Sequence, residues 1–428
     1  MNEVELKHKI HFIGIGGIGV SAIARMFLER GSVVSGSDLS KNRVTEELEL
    51  LGAKIFYSQE KENVPKDADM VVYTIAVPDD NPELELAREL RIKVFSYPEI
   101  LGYLSRSHRT IAISGTHGKT TTTAMTAEAM IAGGLEPTVV VGSLLKSHKS
   151  NYVSGNSDLF LVEACEYRES FSHLQPYILA ITNIEADHLD YYKDVNDVIR
   201  AFSELAKKVS KDGVIIVDSE DENAAKATEG VEARVVDYRE VLNEINISLP
   251  GEHNRKNAAV ALTIVRELGA ERQESMQALR DFSGTWRRFE EKGKSDNGVL
   301  IYDDYAHHPT EIKATLSAAK EKFAGKNIIA VFQPHLFSRT KSFLKDFSLA
   351  FEDADQVLIL PIYKAREKDD GSVSSKDLVK EIEKHHENVT YLDSFEEAKD
   401  HIIKDAKEND VVMTIGAGDV YKVAESLL

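Results

Sequence analysis

Two glycine loops, each set between an apolar strand and a helix, constrain this chain more than any other feature of it. The first is Gly14-Ile15-Gly16-Gly17-Ile18-Gly19, directly after the apolar run Lys9–Ile13 and before the helical stretch Ser21–Arg30. The second is Gly115-Thr116-His117-Gly118-Lys119-Thr120-Thr121, between the strand Thr110–Ser114 and a helix over Thr120–Ala132. A strand that turns into a helix through a few glycines opens a βα unit. In a parallel sheet that loop lies at the carboxyl end of the strand, where unpaired helix amides attract anions.

Strand–helix alternation continues along the whole chain and divides it into three blocks, which predicts an α/β protein with parallel sheets. In the first block Val33–Gly36, Lys54–Tyr57, Met70–Thr74 and Lys93–Ser96 join Lys9–Ile13 as buried strands. The second adds Leu159–Glu163, Tyr177–Thr182 and Val214–Asp218, with helical periodicity over His253–Leu268. After Glu290–Gly298, read as a charged linker, the third offers Val299–Asp303, Asn327–Phe332, Gln356–Leu360 and Asp410–Ile415. Its helices are expected at Glu311–Phe323, Ser338–Phe351, Lys376–Lys384 and Ser394–Asp405. The expected domains are 1–107, 108–292 and 293–428, each built on a mainly parallel sheet: Rossmann-like, phosphate-loop type and Rossmann-like.

Composition narrows the chemistry. Of 428 residues 52 are Lys or Arg and 71 are Asp or Glu, a formal charge of −19, which repels nucleic acid and anionic lipid. Cys165 is the single cysteine, which excludes an internal disulfide and a cysteine-cluster zinc site. No uninterrupted apolar run approaches the roughly 18 residues of a membrane span, and a cytoplasmic protein is expected.

The first glycine loop is followed nineteen residues past Gly19 by Asp38, where an acid usually meets ribose hydroxyls. This pattern predicts a bound nucleotide, NAD by default. The second loop changes that expectation. Its Gly-Lys-Thr end supplies backbone donors, a lysine for the β- and γ-phosphates and a hydroxyl for magnesium, which points to ATP. Glu163 ends one neighbouring strand and His188 follows another, both beyond strand carboxyl ends, so both are candidate metal ligands with Thr120; Asp187 and Asp190 are orienting candidates. Further polar clusters lie at Glu252–Asn257, at Arg287-Arg288, at Asp303–Pro309, and at Gln333-Pro334-His335 with Arg339. The last two follow strand ends of one domain and point to one crevice.

With these residues in hand the chain resembles the Mur ligases, through an ordered series: GIGGIG, GTHGKTTTT, TNIEADHLD, HNRKNAA, WRRF, DDYAHHPTEI, FQPHLFSRT and GAGD. The resemblance implies a ligase of peptidoglycan precursor synthesis that uses ATP and Mg2+ to join L-alanine to the carboxylate of UDP-N-acetylmuramate through an acyl phosphate. It implies that Gly14, Gly16, Gly17, Ile18, Gly19, Asp38, Thr74 and Ala76 hold the UDP-sugar rather than NAD. Gly115, Thr116, His117, Gly118, Lys119, Thr120 and Thr121, with Asn254, Asn257, Arg288 and Asp303, would contact ATP. Thr120, Glu163 and His188 would hold the metal. Tyr305, His307, His335 and Arg339 would surround the amino acid, and Lys119, Glu163, His188, His307 and Arg339 would carry the catalysis. A monomer or weak homodimer is expected.

Two departures from the family pattern stand out. Ala164-Cys165-Glu166-Tyr167-Arg168 replaces an Asp-Glu-Ser-Asp-like run, and Leu336 stands where several relatives carry arginine. Two other readings remain open at this stage. One is a ligase of the same family that adds a preformed peptide in cell-wall recycling. The other is a nicotinamide-dependent dehydrogenase, suggested by the first loop and Asp38.

Overall fold

The computed structural model describes residues 8–365 and 367–428. Three sheets form the frame. The first contains β1 (Lys9–Ile13), β2 (Val33–Ser37), β3 (Lys54–Phe56), β4 (Met70–Tyr73) and β5 (Lys93–Ser96), all parallel, in the order β3-β2-β1-β4-β5. The chain leaves β1 for one side and returns to β4 on the other. The loop after β1 therefore sits at the switch point where open α/β sheets take their ligands.

The second sheet has seven strands: β6 (Arg109–Ser114), β7 (Thr138–Leu145), β8 (Ser150–Val153), β9 (Leu159–Glu163), β10 (Ile178–Ile181), β11 (Val214–Val217) and β12 (Arg234–Asp237). Their order is β12-β11-β10-β6-β9-β7-β8, parallel except for β8, which runs antiparallel to β7. β6 lies between β9 and β10, with Ile113 beside Glu163 and Ser114 beside Ile181. That register places a carboxylate on one flank of the second glycine loop and Thr182 on the other.

The third sheet contains β13 (Glu290–Lys294), β14 (Leu300–Asp304), β15 (Ile328–Phe332), β16 (Gln356–Ile359), β17 (Val389–Tyr391) and β18 (Val411–Ile415), ordered β13-β14-β18-β15-β16-β17. β13 alone is antiparallel to its neighbour. Ile415 aligns with both Asp304 and Phe332, so β14, β18 and β15 end level and the segments after them meet at one edge.

Central strands are buried along their whole length, as Ile-Leu-Ala-Ile in β10 and Ile-Ile-Ala-Val-Phe in β15, the apolar runs expected of a sheet covered on both faces. Two compact units result. One comprises the chain up to Ile184 with Ile199–Glu240 and Val260–Ala278; the other comprises Glu185–Val198, Val241–Ala259 and Leu279–Leu428. The span read as a charged linker contains a strand, β13, because the Glu-Glu-Lys-Gly-Lys run pairs its backbone with β14 at the sheet edge. The helix expected over Ser338–Phe351 is two, Phe337–Ser342 and Leu344–Ser348, broken at Phe343, whose ring packs edge-on against His308.

Candidate active site

In the first unit the loop after β1 is clamped by the strand beside it. The amides of Gly14 and Ile15 donate to the Ser37 carbonyl at 2.8 and 3.0 Å. Asp38, just past β2, accepts from the Gly16 amide at 2.9 Å with one oxygen and from the Ser40 amide at 3.2 Å with the other. Gly17 caps the helix Ile18–Glu29 without any side-chain hydrogen bond. Its first-turn amides thus have no side-chain partner and suit an anion. Thr74, past β4, donates its amide to Ile13 at 3.1 Å, and the exposed Ala76 follows it in the same turn.

The second loop is a closed cradle. Gly115 has φ +131°, and a Cβ there would lie 1.9 Å from the Thr182 hydroxyl, so this position admits glycine alone. Asn183 holds the loop from below: its carbonyl accepts from the Thr116 amide at 2.9 Å and its side-chain oxygen from the His117 amide at 3.0 Å. Gly118 caps the helix Lys119–Ala132, and Thr121 is buried in its first turn. The Lys119 ammonium folds back over the loop and donates to the carbonyls of Gly115 (2.6 Å) and Thr116 (2.9 Å). Both oxygens of Glu166 lie within 3.0 Å of the same nitrogen. Burial by itself lowers the Lys119 pKa, but the Glu166 carboxylate, with Cys165 and Glu163 beside it, outweighs burial and the value rises to about 12. The lysine is a fixed cation at any physiological pH.

Beside it, the Thr120 hydroxyl donates to one oxygen of Glu163 at 3.1 Å, and the Gly142 amide of β7 donates to the other at 2.9 Å. A hydroxyl and a carboxylate side by side are hard oxygen donors, the set a magnesium ion takes next to a phosphate. Thr120 and Glu163 therefore fit the metal that the phosphate loop implies. Cys165 is exposed at the same strand end.

In the second unit Asp187 and Arg339 form a buried ion pair at 3.1 Å. Burial opposes ionisation of Asp187, but the Arg339 guanidinium together with His188, His307 and His308 holds the carboxyl below the usual carboxylate range. His188 follows in the left-handed region at φ +53° and donates its amide to Asp187 at 2.6 Å. Arg339 also donates to Nδ1 of His335 at 3.2 Å, so that nitrogen carries a lone pair. His307 directs Nδ1 at the Tyr305 carbonyl, 3.0 Å away, which can only accept. Burial pushes the His307 pKa down to about 4 despite Glu311. The ring is thus neutral at pH 7, with Nδ1 protonated and Nε2 an acceptor. Asp187, His188, Leu336, Arg339 and Phe343 line a cavity of about 60 Å³.

Nearby, Arg287 is buried at φ +57° and donates to Asp303 (2.8 Å) and to the carbonyls of Gly418 (3.0 Å) and Gly416 (2.6 Å), between the rings of Tyr305 and Tyr421. Asp303 is fully buried, and its other oxygen accepts from Thr414 at 2.6 Å. Arg288 lies over the Tyr305 ring.

Three family models match consecutive stretches: "Mur ligase family, catalytic domain" over residues 9–109, "Mur ligase middle domain" over 113–241, and "Mur ligase, glutamate ligase domain" over 287–418. UDP-N-acetylmuramate–L-alanine ligase of Clostridium tetani is 42% identical, over 98% of this chain and 98% of its own. This chain belongs to the Mur ligase family. The corresponding ligase of Clostridium acetobutylicum is 40% identical over 99% of this chain and 98% of its own. Among solved structures, UDP-N-acetylmuramate-alanine ligase MurC of Thermotoga maritima superposes with a TM-score of 0.81 at 28% identity, covering 98% of each chain. A murein peptide ligase of Psychrobacter arcticus shares the fold at a TM-score of 0.72 and 23% identity, over 98% of each chain.

In this Mur ligase the residues singled out from sequence fall into three groups. Gly14, Gly16, Gly17, Ile18, Gly19, Asp38, Thr74 and Ala76 gather beyond β1, β2 and β4; Lys119, Thr120 and Glu163 gather beyond β6 and β9. Tyr305, His307, His335 and Arg339 gather in the second unit, where Tyr305 and His335 rings lie 5.5 and 5.9 Å from that of His307. His188 belongs to that unit too. Asn254 and Asn257 are buried on the helix Glu252–Glu267, Asn254 donating to the Pro250 carbonyl at 2.6 Å. Asp303 has no exposed surface and holds Arg287. Glu166 on Lys119, Gly142 on Glu163 and the buried Arg287 are contacts that the motifs do not assign. Glu166 stands inside the run that departs from the family, which is the one sequence signal that marks it.

Proposed function

We propose that this chain is an ATP-dependent UDP-N-acetylmuramate–L-alanine ligase that releases ADP and phosphate in peptidoglycan precursor synthesis. The observation that carries this reading is the presence of two anion-binding glycine loops, Gly14–Gly19 and Gly115–Thr121, in one compact unit. A dehydrogenase needs the first loop and leaves the second, with Lys119 and Glu163, without a purpose. The full-length similarity to ligases named for UDP-N-acetylmuramate and L-alanine supports the substrates.

The UDP diphosphate lies on the open amides of the helix Ile18–Glu29, with Asp38 toward the nucleoside. ATP lies on the second loop, its terminal phosphates facing Lys119. Thr120 and Glu163 would hold magnesium, which would neutralise charge on the phosphoryl group. A carboxylate oxygen of the sugar acid attacks the γ-phosphorus and ADP leaves, which turns an unreactive carboxylate into an acyl phosphate. Lys119 stabilises the charge that builds on the phosphoryl oxygens. The alanine amine then attacks the acyl carbon, and the tetrahedral intermediate collapses with loss of phosphate. His307, neutral with Nε2 as acceptor, takes the proton the amine must lose. Arg339, fixed by Asp187 and His335, faces the amino-acid carboxylate.

The same full-length similarity to ligases named for L-alanine favours a small amino acid over a peptide. The test is phosphate release in the presence of UDP-N-acetylmuramate, ATP and magnesium across a panel of amines. L-Alanine should support turnover at least about tenfold better than the tripeptide of a recycling ligase. Turnover with the tripeptide and not with alanine would transfer the chain to that second function.

A further inference from the structure

We propose that Tyr97 is a substrate-positioning residue whose hydroxyl donates a hydrogen bond to the acid-bearing side of the UDP-sugar. The proposal rests on the function proposed above and adds a residue that no motif of the chain marks. Tyr97 opens the helix Tyr97–Ser105, and a capping box fixes its backbone: the Ser96 amide donates to Glu99 at 2.7 Å while the Ser96 hydroxyl accepts from the Glu99 amide at 3.4 Å. The ring stands directly against the last glycine of the diphosphate loop. A Cβ on Gly19 would lie 2.6 Å from the Tyr97 ring carbon that bears the oxygen and 2.8 Å from the oxygen itself.

The hairpin β7–β8 ties this loop to the phosphate-transfer site. Its Gly142 amide holds Glu163 at 2.9 Å, and its buried Asn151 donates to the Ile18 carbonyl and, at 2.8 Å, to the Ser21 hydroxyl. The diphosphate loop and the metal carboxylate are therefore held in one fixed relation, with Tyr97 against the loop. A UDP-sugar with its diphosphate on Gly14–Gly19 and its carboxylate directed at Lys119 and Glu163 has to extend its sugar acid past this ring. The Tyr97 hydroxyl makes no hydrogen bond to any described residue, and the residue is half-buried rather than enclosed. Burial, with Glu163 and Cys165 nearby, pushes the phenol above its ordinary pKa, so it stays a neutral donor.

The test compares wild type with Tyr97→Phe, which keeps the ring against Gly19 and removes one oxygen. Calorimetry with UDP-N-acetylmuramate and with UDP alone separates the acid-bearing part of the ligand from its nucleotide. A hydrogen bond to a charged group corresponds to about a 10- to 100-fold change in affinity. The variant should bind UDP-N-acetylmuramate about 10-fold or more weakly, bind UDP as wild type does, and keep its KM for ATP. Equal affinity of both proteins for UDP-N-acetylmuramate would overturn the proposal, and so would a matching loss of UDP affinity, which marks a packing role. Failure of the wild type to bind UDP-N-acetylmuramate would instead overturn the functional reading, and this proposal with it.

Discussion

In the proposed mechanism phosphoryl transfer depends most on Lys119. Its ammonium is held in the cradle by Glu166 and two carbonyls, which fix it at the loop. Lys119→Ala should lower kcat at least about 100-fold, the loss typical of a deleted transition-state donor, while UDP-N-acetylmuramate still binds; steady-state kinetics with calorimetry checks both halves. Histidines in the second unit set a pH dependence. Burial lowers His253 and His307 to about 4 from 6.5, so the unfolded chain binds more protons between these values. The stability they contribute is complete above pH 6.5 and is lost as pH falls toward 4. Asp304, raised by burial to about 6, acts oppositely, since its folded form holds the proton that the unfolded form releases. Two groups against one give a urea midpoint that falls from pH 6.5 to 4, with a shallower fall in His253→Asn. Lys119, Thr120 and Glu163 were legible from sequence because strand ends in a parallel sheet are neighbours by construction. Tyr97 and Glu166 were not, because their partners are set by how a helix start and a loop pack, and no spacing encodes that.

At the scale of elements, backbone contacts hold the functional carboxylates. A Cβ on Gly142 would lie 2.5 Å from Glu163, so Gly142→Ala should displace that side chain and raise the magnesium requirement about tenfold or more, read from activity against magnesium concentration. Arg287 plays the matching part in the second unit, where it joins the end of β14 to the turn after β18. Arg287→Met leaves Asp303 buried without its cation and should cost about 3–5 kcal/mol, measured by urea unfolding. Central strands such as β1 and β9 were legible to the residue, since burial on both faces demands apolar runs. The edge strands β12 and β13 were not. β13 is Glu-Glu-Lys-Gly-Lys and β12 is half exposed, and each is a strand because a neighbour offers free backbone groups rather than because of its own pattern. The hairpin β7–β8 was hidden for a third reason: Gly142, required by Glu163, interrupts an otherwise apolar run.

At the scale of the molecule, the proposed function has a chain of formal charge −19 bind two polyanionic nucleotides. Local donors must therefore outweigh the overall field in that function: helix amides at Ile18 and Lys119, the lysine itself, and the magnesium that Thr120 and Glu163 would hold. Separate cradles predict separable losses. Asp38→Ala should weaken UDP-N-acetylmuramate by about 10-fold or more and leave ATP affinity unchanged, the converse of a phosphate-loop variant; a parallel loss of both in calorimetry would mean that the two sites are wrongly divided.

The central claim is that ATP is cleaved by the sugar's own carboxylate. UDP-N-acetylmuramate carrying 18O in that carboxylate, incubated with ATP, magnesium and L-alanine, tests it directly through the mass of the phosphate released. One labelled oxygen should appear in each phosphate, carried over when the acyl phosphate breaks. Unlabelled phosphate, formed at the same rate as UDP-N-acetylmuramoyl-L-alanine, would contradict the account.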